Sequence, residues 1–174
     1  MSQGFTSQLP VPLPVAQGGT GVTTNNWTAG SLTFSPTTQG IVGTTTNDNA
    51  AAGYVGEYIS STVTASAITN NTFTNVTSIS LTAGDWDVFG SILTNPAATT
   101  TQSGVSCGIN TVSATFPSLY TSNGAYTAGN NAGLVAPTVR LSLNTTTTVY
   151  LVAAVVYSIS TLTITGFIGA RRRR

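Results

Sequence analysis

The chain has 174 residues and a formal net charge of +1, and only 5% of its residues are charged, with no Lys and no His. Soluble proteins average about 25% charged residues, so solubility here rests on Thr, Ser and Asn. The lack of His and Lys removes the commonest general base and the Schiff-base nucleophile, which excludes most enzyme classes.

Residues 1–52 read as an extended N-terminal arm. Its start, MSQGFTSQLP, has neither a basic n-region nor an apolar h-region, so no export signal is expected. LPVPLPV then places Pro at alternate positions, and each Pro pushes its predecessor into an extended shape. The result is a strut whose Leu9, Val11, Leu13 and Val15 need another surface to cover them. QGGTGVTTNN at Gln17–Asn26 nearly recurs as QGIVGTTTND at Gln39–Asp48. Gly-punctuated and Thr-ended, these segments read as successive layers of a multi-chain stem. Trp27 and Phe34 lie between them, apolar groups that one copy of the arm cannot bury.

Residues 53–174 read as a head of short strands. YVGEYISSTV, FTNVTSISL and WDVFGSIL come first, the last two separated by a TAGD turn. VSCGINTVS follows a second turn, then a Gly/Ala/Asn-rich stretch over 114–136. PTVRLSL, TVYLVAAVVYS and TLTITGFIGA close the chain. Apolar residues alternate with period two, turn signals recur about every ten residues, and no segment has a helical apolar period. The pattern predicts an all-β antiparallel sandwich or jelly roll of seven or eight strands. TVYLVAAVVYS is apolar on both faces, so its second face is expected to meet a neighbouring subunit. Its nine-residue apolar run is far short of the roughly 20 residues of a membrane helix, and no membrane insertion is expected.

Cys107 is the single cysteine and reads as a small core residue. Only four acids are present: Asp48, Glu57, Asp85 and Asp87. Asp85 and Asp87 flank Trp86 and share one face of a strand. They read as a turn aspartate and an exposed neighbour rather than as a glycosidase pair or a calcium site. Glu57 is expected to form a hydrogen bond or an ion pair, with Arg140 an available partner. No catalytic residue, metal or cofactor is expected. The four terminal arginines read either as a solvated tail or as groups contacting anions or other subunits. The basic footprint is too small for a nucleic-acid partner.

LPVAQGGTGVTT resembles a linker of tailed-bacteriophage fibre proteins that precedes a trimeric C-terminal head. TNDNAAAGYVGEYISS, SISLTAGDWDVFGSI, TTTTVYLVA and the closing GFIGARRRR resemble the C-terminal domain of tail-fibre-like virion proteins. The resemblance implies a homotrimeric, non-catalytic protein on the exterior of a phage particle. The function expected from it is a short fibre whose head binds a host-surface receptor, a glycan or a protein. The alternative is a capsid decoration or head-fibre protein docked on another virion protein through its arm. A non-viral adhesin or carbohydrate-binding module is a third reading. The receptor contacts expected are Tyr120, Asn123, Tyr126, Asn130 and Asn131, which combine stacking faces with amide donors and acceptors. The apolar arm residues are assigned to docking and trimerisation, and Arg171, Arg172, Arg173 and Arg174 to anion or intersubunit contacts.

Overall fold

The computed structural model describes residues 45–125 and 130–174. The arm residues Leu9, Val11, Leu13, Val15, Trp27 and Phe34, and the receptor candidate Tyr126, lie outside the described residues. The compact unit runs from Asn47 to Arg174, slightly ahead of the expected boundary at Gly53.

Eight strands form: β1 (Tyr58–Ala67), β2 (Thr74–Leu81), β3 (Gly84–Pro96), β4 (Thr101–Asn110), β5 (Thr121–Ala125), β6 (Gly133–Leu143), β7 (Thr147–Ser158) and β8 (Leu162–Arg172). They make two four-stranded sheets, A in the order β1-β8-β3-β6 and B in the order β2-β7-β4-β5. Every pairing is antiparallel. β1 pairs with β8, β2 with β7, β3 with β6, and β4 with β5, as if one long hairpin had been rolled into two layers. That nesting is the jelly-roll order.

The core follows from strand alternation. Trp86, Val88 and Ile92 of β3 and Ile164, Ile168 and Ala170 of β8 face inward from sheet A. Val105, Cys107 and Ile109 of β4 meet them from sheet B, with Val149, Leu151, Ala153 and Val155 of β7. Each buried Val, Leu or Ile among them gains roughly 1.5–3 kcal/mol from leaving water. The Trp86 indole N–H is satisfied by the Thr82 carbonyl at 2.9 Å. Burial pushes the Cys107 thiol up to about 12, which fits the core role expected for it.

A buried polar knot closes one end of the sandwich. The Thr94 hydroxyl donates to Gln102 Oε1 at 2.9 Å and accepts the Ala132 N–H at 2.9 Å. Gln102 Nε2 donates to the Asn130 carbonyl. Unpaired, these buried groups would each cost about 1–3 kcal/mol. Paired, they fix the entry into β6.

Two details depart from the sequence expectation. The 114–136 stretch contains β5 and the start of β6, because Gly- and Asn-rich strands give a weak periodic signal. The second face of β7 also finds part of its cover within the chain. Val152, on that outer face, is fully buried. In register it neighbours Asn75 of β2 and Gly108 of β4. The segment between β4 and β5 is tied down over these strands. The Asn75 amide donates to Ser113 Oγ at 2.7 Å and accepts the Ala114 N–H at 2.7 Å, while a Cβ on Gly108 would lie 2.7 Å from Pro117 Cγ. Only close approach of the Pro117 ring to a bare glycine permits this packing. Val152 therefore does not require a neighbouring subunit.

Candidate functional site

The outer face of sheet B carries a shallow trough of about 390 Å³. Its floor is two rows across β7, β4 and β5. One row is Ala154–Ser106–Asn123 and the other is Val156–Gly104–Ala125. Small side chains at these outward positions make the depression. Phe73, just before β2, forms a wall and is 42% exposed. Phe116 stacks on it with ring centroids 4.7 Å apart and planes 15° apart, which holds the Phe73 ring in place. Asn71 lines the trough beside it. Its φ of 51° is a left-handed conformation that Asn tolerates, and its N–H donates to the Val155 carbonyl at 2.9 Å. Among the described residues, the Asn71 and Asn123 side-chain amides and the Ser106 hydroxyl have no hydrogen-bond partner. An aromatic face beside spare amide and hydroxyl groups is suited to a sugar ring, whose C–H face stacks while its hydroxyls bond.

The receptor candidates from sequence are only partly brought together. Asn123 lines the trough. Tyr120 is 58% exposed but lines a second hollow with Asn110, Phe116, Pro117 and Leu119. Asn131 donates to Asn95 Oδ1 at 3.3 Å, and the Asn130 carbonyl belongs to the Gln102 knot. Those two asparagines secure the turn into β6, away from the trough lining. Sequence reading missed Phe73, Asn71, Ser106 and Val156. The available signal was the run of small residues Gly104, Ser106 and Gly108 in the outward phase of β4.

The backbone of the terminal arginines is tied into the fold, although the side chains of Arg171, Arg173 and Arg174 stay exposed. β8 continues to Arg172, whose side chain turns inward and is buried. Its guanidinium lies 4.3 Å from the Trp86 ring centroid. Nε donates to Glu57 Oε2 at 2.8 Å, Nη1 to the Ala83 carbonyl at 2.8 Å, and Nη2 to Thr82 Oγ1. Gly84 makes room for this group. Its φ is +136°, and a Cβ there would lie 2.1 Å from Arg172 Nη1. Glu57 also accepts the Gly53 N–H at 2.8 Å. Burial alone would raise the Glu57 carboxyl, but the hydrogen bonds from Arg172 and Gly53 and the charge of Arg172 outweigh it and hold it below its usual range. Glu57 thus pairs with Arg172, not with Arg140 as its availability suggested.

Arg140 and Arg174 both pair with Asp85 Oδ2, the former at 3.0 Å, and Arg173 Nε pairs with Asp87 Oδ2 at 3.3 Å. The Ser142 hydroxyl, opposite Asp85 in register, leads the groups that hold the Asp85 carboxyl down at about 2, with Arg174 and Arg140 next. Backbone bonds complete the closure. The Arg173 N–H donates to the Asp85 carbonyl at 2.8 Å, and the Asp85 N–H to the Arg174 carbonyl at 3.1 Å. Asp85 and Asp87 do share a face, and arginines occupy it with them. Among the described residues, no three His, Cys, Asp or Glu side chains gather where they could hold a metal ion.

No protein-family model matches the chain, and no curated protein matches it in sequence. Among solved structures, it is similar to a chain in a structure of infectious bursal disease virus, Gx strain, with 10% identity and a TM-score of 0.45. The match covers 78% of this chain and 37% of that one, so this chain spans little more than a third of that chain's length. A likeness at this level carries no inference about function.

Proposed function

We propose that this chain is a non-catalytic bacteriophage virion protein, a short homotrimeric fibre whose jelly-roll head binds a host-surface glycan through the trough on sheet B. The observation that carries the binding role is the trough itself: Phe73, held by Phe116, beside the polar side chains of Asn71, Ser106 and Asn123, which have no partner among the described residues. The fibre role and the trimer are supported by the resemblance of the GGTG linker and head segments. The alternating Pro, Leu and Val of the arm sequence add to this, since a strut of that composition is expected to need a second surface. Three copies would present three equal weak sites, and avidity of this kind multiplies attachment by about 10²–10⁴ without new contacts.

Adsorption of particles carrying Phe73→Ala or Asn123→Ala tests the binding role. Each substitution is expected to slow adsorption at least tenfold while leaving particle assembly unchanged. Adsorption at the wild-type rate by both variants would refute it. Immunogold imaging of intact particles separates a tail fibre from the alternative, a capsid decoration docked through the arm.

A further inference from the structure

The outer face of sheet A carries a second cluster, on the opposite layer from the trough. One register row runs Tyr58–Arg171–Asp87–Arg140 across β1, β8, β3 and β6. Next to it, Asp85, Asp87, Arg140, Arg173 and Arg174 line a hollow of about 320 Å³. Four outward arginines thus face two aspartates, leaving an excess of positive side chains. Arg140, Arg173 and Arg174 are mostly exposed, with side chains 63%, 66% and 77% accessible.

The way these arginines are held is informative. Arg173 and Arg174 each pair with their aspartate through Nε. That leaves the paired Nη1 and Nη2 donors of each, the edge that grips a carboxylate or phosphate in two-point fashion. Arg140 uses only Nη2. Arg171 opposes Asp87 in register but makes no ion pair within the described residues. The aspartates therefore orient the guanidinium groups without saturating them.

A second copy of the chain is a poor source of the missing negative charge. The whole sequence has four acids. Glu57, Asp85 and Asp87 are already paired within the chain, and only Asp48 remains. Acid side chains of other copies offer little counter-charge beyond Asp48. Beside the arginines, the Phe89 ring lies 6.4 Å from Tyr58 and 6.1 Å from Phe167 between centroids, a half-buried aromatic ridge on the same face. Such a ridge suits a sugar ring that carries the charged group.

We propose that this cluster binds the oxyanion of an acidic glycan, a carboxylate or a phosphate, through the outward edges of Arg140, Arg173 and Arg174 with Arg171 beside them. Arg172 takes no part, because it is committed to Glu57 and Trp86. The site lies on the other sheet and stands or falls separately from the trough.

The test is calorimetric titration of the full-length protein at low salt with polygalacturonate, poly(glycerol phosphate), neutral dextran and a single-stranded oligonucleotide. One or both acidic polymers should bind, weakening as salt rises, and the tighter one identifies the oxyanion. The double variant Arg171→Gln/Arg173→Gln leaves both partners of buried Asp85 in place. It should bind at least tenfold more weakly with an unchanged unfolding midpoint. No binding of either acidic polymer, undiminished binding by the double variant, or equally tight binding of dextran or the oligonucleotide would overturn the proposal.

Discussion

Replacing Arg172 by Ala perturbs the most heavily engaged charged side chain described. It removes an ion pair to Glu57, two further hydrogen bonds and a contact with the Trp86 ring. Breaking a buried pair from one side costs about 3–5 kcal/mol, because the remaining charge is stranded. The lost ring contact contributes up to about 2 kcal/mol of the gross loss when desolvated. Protonation of Glu57 offsets part of the total, since burial favours its neutral form once Arg172 is gone. The net expectation is about 3–5 kcal/mol. At a urea slope of about 2 kcal/mol/M, that lowers the unfolding midpoint by roughly 1.5–2.5 M. Glu57→Gln/Arg172→Met should recover part of the loss, as apolar replacement of a buried pair does elsewhere. Arg171→Ala, which has no described partner, should change stability by less than about 0.5 kcal/mol. If Arg172→Ala behaves like Arg171→Ala in urea, the claim that the chain end is an integral part of the fold is wrong.

Other outcomes follow from the same geometry. Gly108→Ala drives a Cβ into the Pro117 ring, so it should cost about 1–3 kcal/mol and make the segment between β4 and β5 more sensitive to limited proteolysis; an unchanged cleavage pattern would contradict the packing described. The Cys107 thiol, buried and pushed up to about 12, should not react with a thiol reagent until the protein unfolds, and rapid native labelling would count against its core position. Asp85 and Glu57 both have lowered carboxyl values in the fold. Their stabilisation is present above about pH 4, the usual carboxylate value, and is lost as pH falls toward the Asp85 value of about 2. The thermal midpoint should therefore drop between pH 4 and 2, and Asp85→Asn should flatten that drop; a midpoint independent of pH over this window would exclude the linkage.

The fold was legible where one face of a strand is wet and the other dry. Ile79 and Leu81, or Leu162 and Ile164, alternate with polar residues and signal their strands directly. β5, TSNGA, buries little and has no such contrast, so its sequence resembles a turn. The two-faced apolar pattern of β7 signalled burial on both sides, which holds at Val152 but not at Val156, 42% exposed, and a sequence does not say which chain supplies the cover. For Val152 it was the chain's own segment carrying Pro117. The trough was hidden for a similar reason, because its shape comes from small residues on adjacent strands, and their adjacency depends on register. Asn123 was reached through its chemistry, while Phe73 lies about fifty residues earlier in the chain and joins it only through the pairing of β2, β7, β4 and β5. The role of Arg172 was invisible because four identical residues in a row give no phase, and β8 had to be extended to Arg172 before one of them pointed inward.

The most direct test of the central claim, that the head recognises glycan through the outer face of sheet B, is amide chemical-shift mapping of the head during titration with polysaccharide released from the host surface. Saturable shifts concentrated at Phe73, Gly104, Ser106, Asn123 and Ala154 are the predicted result. Shifts absent from these residues, with saturable binding elsewhere on the head or none at all, would contradict it.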